Sequence, residues 1–529
     1  MKTGKRNIIL LSILLFIIVG ASTIFILWKS QPKGITIAIS ELPDSLNPIL
    51  PQNISGMNAS ELIFDGLVNF EVDYLSKKLY PEFALAESIE QDPLTKKIYT
   101  VVLRDISWHD GRKLTADDVV FSFDAYMDPA NESPQRAYLS SFIKKIEKVD
   151  NRTISIEFND PIPPFRVYPI LTFKIIPSVY NDKKMSTNLR SGENERNFAV
   201  EPIGTGPYRF TKWEIGKWII FSSNESYFRR VPVISTLILK KVLDPVIRMN
   251  ELKKGRINMI LETSPMDRVK VEKIRGVDIN SYLPFAFYQV FINCKKFTDP
   301  EARKAMAQAI DRASLVPGVT DADSGVVIGS SVFPADLFMS NIPEYMNSPV
   351  PDLLPEDLDK AKKMAEVSGL SGKTAILLYP DSLGDFGEAV ATSISDQLRQ
   401  IGFEVEPKRT GDQVFNRLVF IDHNYDLALA YSEGFDNLYS SLGSYFTSDG
   451  ELNVTGISDK ELDALFQKWE KAVKVVDWLD LTLEINKKMA ELSPSIFLFK
   501  IQKDVYTKGL KDVNIATDNP FLSVEEWSF

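Results

Sequence analysis

One cysteine, Cys294, and two histidines, His109 and His423, are all that the 529 residues offer to thiol or imidazole chemistry. A single thiol cannot close an internal disulfide, so an exported form must draw its stability from a large core. Two histidines so far apart make a poor zinc or nickel site, which needs several convergent ligands. HExxH, CxxC and nucleophile-elbow patterns are missing as well. Neither an enzyme nor a cofactor is therefore expected. The chain also lacks a basic excess. It carries 61 Lys and Arg against 71 Asp and Glu, a net charge of −10. That argues against nucleic acid, which demands clustered cations. The acidity reads first as a soluble surface and also suits a cationic or zwitterionic ligand.

Long hydrophobic runs are lacking except at the N-terminus. Lys2, Lys5 and Arg6 precede an uncharged stretch over residues 7–28. Its 22 positions would span about 33 Å as a helix, enough for a bilayer core. The flanking cations place that end in the cytoplasm and everything after Lys29 outside. A cleaved signal peptide has the same basic start. Run length favours an uncleaved anchor, and the lack of a cysteine beside the run excludes lipoprotein processing. Such a length calls for two or three domains.

Beyond residue 33, local signals predict alternating strands and helices. ITIAIS is a strand, followed by ELPDSLNP, a Pro-bounded turn containing Asn47. Residues 59–70 read as a helix. Residues 99–103 form a strand, Asp110-Gly111 a turn, and Thr115 with Asp118 a capping box ahead of Val119, Phe123 and Tyr126 at helical spacing. TISIEFNDPIPPF is a strand running into a Pro-rich turn, and the polar stretch 181–196 reads as a surface loop. PIGTGPYRF lacks the Lys-Ser/Thr of a phosphate loop, so its glycines point to a tight backbone path. FYQVFINC is a strand in which Cys294 reads as a packing residue. FTDPEARKAMAQAIDR is a helix capped by Thr298 or Asp299. The helix 358–367, the strand TAILLY, the helix 387–401 and the strands FEVE and DLALAY then indicate an α/β layer.

Several of these segments, in this order, resemble the bacterial extracellular solute-binding proteins of family 5, the oligopeptide- and dipeptide-binding proteins that serve ABC importers. The segments are ELPDSLNP, LYPEFALAES, LRDISWHDGRKLTADDVVFSF, PIGTGPY, NESYFRRVP, FTDPEARKAMAQAIDR and PSIFLFKIQKDVYTKGL, spread from about residue 35 to 510. Two departures stand out. Asn47 replaces an acid, and Arg229-Arg230 replaces a small residue. The resemblance implies an α/β, two-lobed, periplasmic-binding-protein-like fold of type II. It would have an extra subdomain in lobe I, a hinge-closing cleft and, here, an N-terminal transmembrane helix. Expected boundaries are 1–33 for the anchor or signal segment, 34–75 for lobe I, 76–202 for the inserted subdomain, 203–283 for lobe I again, 284–496 for lobe II, and 497–529 for the return to lobe I.

The resemblance also implies how a ligand is held. Relatives pair an aspartate in the loop after the DLALAY-type strand with the ligand's ammonium group. Here that loop reads YSEGFDNLYSS, so Asp436 is the first candidate and Glu433 the second. Phe435 replaces the usual tryptophan, and Ser432, Gly434, Tyr379, Tyr288 and Asn47 complete the expected lining. A solvated acidic loop with no ligand role is the plainer alternative. Dipeptide-specific relatives hold the ligand carboxylate with an arginine in the loop after the preceding strand. Residues 379–383, YPDSL, contain none, which favours longer peptides held by backbone hydrogen bonds. Implied partners are a peptide, ABC permease subunits and the cytoplasmic membrane, with the protein a monomer and nucleic acid excluded. Alternatives are an oligosaccharide binder, with Tyr288, Phe435, Tyr439 and Tyr445 lining the cleft, or a membrane-tethered sensor. Nickel-binding relatives keep a weak metal reading open.

Overall fold

Strand-forming runs from distant parts of the chain assemble into two large sheets. The computed structural model describes residues 34–72, 79–263, 267–284, 286–316, 326–328, 353–432, 443–450, 452–472 and 474–529. The anchor expected at 7–28 lies outside them. Among the described residues no helix is long and apolar enough to cross a membrane.

The first sheet has seven strands in the order Tyr208–Glu214, Trp218–Ser223, Thr236–Lys241, Gly34–Ile39, Met259–Ile260, Lys503–Thr507 and Asp278–Tyr282. Gly34–Ile39 runs parallel to both of its neighbours. A separate four-stranded sheet, Ala86–Gln91, Ile98–Leu103, Thr153–Phe158 and Ile143–Lys148, is inserted between the first and later strands of this lobe. One continuous core joins the two sheets, from Ile35 and Ile37 through Tyr99 and Tyr126 to Trp527.

The second sheet orders Val326–Ile328, Ser495–Ile501, Phe287–Ile292, Leu427–Ser432, Thr374–Pro380 and Glu404–Thr410. Both of its faces are covered. Val290 and Ile292 face a core that includes Ala305, Ile394 and Leu398, while Phe287 and Phe291 face the opposite side with Trp469, Trp478 and Phe415. Burial on both faces explains the nearly unbroken apolar run FYQVFI. The strand Ser495–Ile501 belongs wholly to this second sheet, pairing with Phe287–Ile292. The chain crosses back at Gln502, later than the boundary expected at 497, because SIFLFKI is buried along its whole length.

Local signals hold in detail, with two exceptions. Asp299, not Thr298, caps the helix Pro300–Gln308, accepting from Glu301 N–H at 2.9 Å. Asp118 accepts from Thr115 N–H at 2.9 Å, closing one half of the box. The helix expected at 59–70 instead spans Ile54–Ile63, capped by Asn53, and Val68–Val72 is a strand. Phe64 ends the helix with an extended backbone (φ −126°, ψ 146°), and the chain then passes Gly66, where a Cβ would lie 2.7 Å from the carbonyl oxygens of Thr172 and Val68. β-branched Val68 and Val72 then favour the strand. The polar stretch expected to be a loop at 181–196 runs into a short helix, Glu193–Phe198, held by Glu195 accepting from Ser186 N–H at 2.8 Å.

Candidate functional site

The two lobes are joined where Asp278–Tyr282 leads into Phe287–Ile292 and where Ser495–Ile501 leads into Lys503–Thr507. Phe287 pairs with Ser432 and Tyr288 with Tyr431, so strand Leu427–Ser432 ends at this crossing. Strands Thr374–Pro380 and Glu404–Thr410 run parallel to it. The three C-terminal ends, carrying Tyr379, Arg409 and Ser432, therefore share one edge of the second sheet at the lobe boundary. Carboxyl ends of parallel strands are the usual place for a ligand crevice in α/β folds, because the loops diverge there and leave backbone groups unpaired. A separate cavity of about 250 Å³ lined by Asn293, Lys295, His423 and Thr455 sits at the opposite end of Phe287–Ile292, away from the boundary.

Tyr288 is half-buried at this edge. Its ring packs against Tyr431 at 4.8 Å, Phe499 at 5.1 Å and Phe386 at 5.4 Å between centroids. Across the boundary, the Lys503 ammonium lies 5.1 Å over the Tyr431 ring and 2.7 Å from Asp518. Tyr282 also donates to Asp518, at 3.1 Å. First-lobe charge thus sits directly on the second-lobe aromatic cluster, an arrangement that cation–π attraction stabilises.

The other expected lining residues lie deeper. Ser432 is buried, and its hydroxyl accepts from Gln289 Nε2 at 2.5 Å, while Ser495 donates to Gln289 Oε1 at 2.6 Å. Gln289, fully buried, thereby ties three neighbouring strands. Tyr379 is buried in the second-lobe core, and burial raises its phenol pKa. Asn47 is buried in the first lobe. Its Oδ1 accepts from Ile49 N–H at 3.1 Å, and its Nδ2 has no partner among the described residues. Tyr445 is half-buried and stacks on Phe291 at 6.4 Å. Glu433, Gly434, Phe435, Asp436 and Tyr439 lie outside the described residues.

One residue at this edge escaped the sequence reading. Arg409 stands opposite Tyr379 in register, and its Nε donates to Asp381 Oδ1 at 2.8 Å. The loop 379–383 has no arginine of its own, but the neighbouring parallel strand delivers a guanidinium to it. A helix, Gly384–Arg399, separates the two in sequence, so only the strand pairing reveals the contact.

On the first-lobe side, the two most conspicuous sequence segments lock together. Gly204 N–H donates to His109 Nδ1 at 3.2 Å, so the ring proton belongs on Nε2, which donates to the Gly206 carbonyl at 3.0 Å. His109 N–H donates to the Gly204 carbonyl at 2.8 Å. Arg209 Nη1 donates to the His109 carbonyl at 3.0 Å. Burial is the main cause that lowers the imidazole pKa to about 4. His109 is thus a neutral structural clasp. Because its folded pKa is depressed, its contribution is present above pH 6.5 and is lost as the pH falls towards 4. We expect acidification through that window to remove about 2–3 kcal/mol of stability through this group, and His109→Gln to flatten the acid limb of a Tm-against-pH curve. An unchanged acid limb in the variant would refute the assignment.

Comparison with known proteins matches this geometry. The family model of bacterial extracellular solute-binding proteins, family 5, covers residues 79–453. The chain belongs to that family and is an extracytoplasmic solute-binding protein. It is similar to the oligopeptide-binding protein AppA of Bacillus subtilis, with 24% identity over 494 residues covering 87% of this chain and 86% of that protein. Its fold superposes on the ABC transporter substrate-binding protein CtaP of Listeria monocytogenes with a TM-score of 0.80 at 22% identity, covering 94% of this chain and 99% of the other. On Bacillus subtilis AppA in complex with a nonapeptide the TM-score is 0.73 at 20% identity, covering 94% and 99%.

Proposed function

We propose that this protein captures oligopeptides outside the cytoplasmic membrane and delivers them to an ABC permease. The observation that carries the reading is the shared edge of Tyr288, Arg409 and the end of Leu427–Ser432 at the lobe boundary, in a chain of this family. Lobe I comprises the seven-stranded sheet and its inserted subdomain, and lobe II the six-stranded sheet. The two close as rigid bodies about the paired crossings. Asp436 holds the ligand ammonium, with Glu433 as the second candidate, and residues 7–28 tether the monomer to the membrane. Relatives that carry oligopeptide names, and a fold neighbour with a bound nonapeptide, support a peptide over a sugar. The burial of Tyr379 and the packing of half-buried Tyr445 on Phe291 weaken an aromatic sugar platform.

The test is native purification from cells fed a peptide digest, followed by mass spectrometry of the released ligand. A ladder of peptides of similar length and mixed sequence is expected, and a single sugar or metal chelate would overturn the reading. A charge-assisted bond in a water-excluding cleft is worth about 1.5–3 kcal/mol. Asp436→Asn is therefore expected to weaken free-amine peptides about 10- to 100-fold and to spare their N-acetylated forms. Equal weakening of both forms would remove Asp436 from that role.

A further inference from the structure

We propose that Arg166 is the latch of the closed state, a positioning residue that sets how slowly ligand leaves. This rests on the reading that the two lobes close around a ligand. Arg166 sits on the short helix Pro164–Ile170 in the first lobe, at the end of the Pro-rich turn. Val167 and Ile170 bury that helix in the first-lobe core, and the Arg166 guanidinium lies 5.6 Å over the Phe142 ring. The side chain is thus held rigidly by its own lobe.

Its hydrogen bonds, however, cross to the other lobe. Nη1 donates to the carbonyl of Glu470 and, at 3.5 Å, to that of Ala472. These carbonyls end the helix Lys460–Lys471, which packs through Leu462, Phe466 and Trp469 into the second-lobe core. The last carbonyls of a helix have no intrahelical partner and carry the negative end of its dipole, so a guanidinium there is favoured twice. The contact leaves Arg166 only 4% exposed.

The molecule uses the same device within a lobe as well. Arg303 donates to the Leu492 carbonyl at 2.8 and 2.6 Å, at the end of the helix Val475–Leu492. There donor and acceptor belong to one rigid body, and the bond is permanent. At Arg166 they belong to two, so lobe opening must break it and closure must remake it. The acceptors are backbone carbonyls and the donor does not titrate. The backbone bonds themselves are therefore independent of pH, while the guanidinium also attracts the Glu470 carboxylate, whose pKa burial raises and Arg166 pulls down. The latch engages far from Tyr288 in sequence and makes no demand on ligand identity, which suits a binder of mixed peptides.

The test compares wild type, Arg166→Ala and Arg166→Lys as full chains carrying dyes at cysteines introduced by Val149→Cys and Lys468→Cys. Buried Cys294 stays unlabelled. Single-molecule FRET reads the lobe separation with and without a tryptic casein digest, and stopped-flow dilution reads peptide release. Arg166→Ala is expected to release peptide at least 10-fold faster and to shift the population towards the open separation. Association should be unchanged, and so should the Tm of the ligand-free protein. Arg166→Lys, which keeps charge but loses the planar fork, should fall between the two. Identical separations and release rates in wild type and Arg166→Ala would overturn the latch. A wild type that takes up no peptide would instead overturn the peptide reading, while the ligand-free separations would still report on Arg166.

Discussion

Arg229→Met should cost about 3–5 kcal/mol of stability, because it strips the cation from buried carboxylates. Arg229 pairs with Glu71, lies 3.7 Å from Glu525 and reaches Glu82 at 2.9 Å. Glu71 and Glu525 are 7% and 5% exposed. Burial pushes both carboxyls up, Glu71 to about 7 and Glu525 to about 8; Glu71 raises Glu525 further, Glu82 and Glu526 raise Glu71, and Arg229 pulls both down. They titrate as a pair around one guanidinium. Their folded pKa values are raised, so the stability they contribute is complete below about pH 4.5 and is lost as the pH rises through 7 and 8. Removing Arg229 raises the cost of ionising them further. The penalty of Arg229→Met, read as a drop in Tm, should therefore be larger at pH 8 than at pH 5. Adding Glu71→Gln and Glu525→Gln should recover most of it. A penalty equal at both pH values, or one that the glutamines fail to relieve, would contradict this account. The wild-type pH profile combines two opposed limbs, since the His109 contribution fades on acidification while the Glu71–Glu525 contribution fades on alkalinisation.

Gly204→Ala is the second large expected effect. A Cβ at this position would lie 1.8 Å from the Ile63 carbonyl oxygen, inside the end of the helix Ile54–Ile63. The neighbour is backbone, so nothing flexible can yield. The substitution would also disturb the two bonds that join residue 204 to His109. A loss above about 3 kcal/mol is expected, at the severe end of overpacking. Gly111→Ala makes the matched control. Gly111 has φ +88° with open space around it, so only backbone strain opposes a side chain there, about 1–2 kcal/mol. Chemical denaturation of both variants should rank Gly204→Ala well below Gly111→Ala. The reverse order would show that conformation, not space, sets the demand for glycine in GTGPY.

Features that depend on neighbouring residues were legible in the chain. The caps at Asp299 and Asp118 follow from side chains within three positions of the N–H groups they serve. The nearly unbroken apolar run FYQVFI announced a strand. Cys294 is a buried packing residue, as its surroundings implied. The helix expected at 59–70 ran past its end at Ile63, because Val68–Val72 is drawn into pairing with Leu79–Phe83. The return at 497 was placed early because a strand's sheet membership depends on its partner, and both lobes offer an apolar one.

The candidate site divides along the same line. Sequence order placed Tyr288, Tyr379 and Ser432 near strand ends, since strand termini are local events. Which way each side chain faces depends on pairing register. Register turned Ser432 towards Gln289 and Tyr379 into the core, and left Tyr288 at the lobe boundary. Arg229 read as a local loop departure until the fold brought Glu71 and Glu525 to it from opposite ends of the chain. Arg409 beside Asp381, and Arg166 on the far lobe's helix end, are likewise long-range pairings. Element type and order, and the family, were fixed by short-range chemistry that can be read along the chain. The ion cluster, the shared strand edge at the lobe boundary and the contact between lobes came only with folding, because each joins groups whose separation in sequence carries no trace of their distance in space.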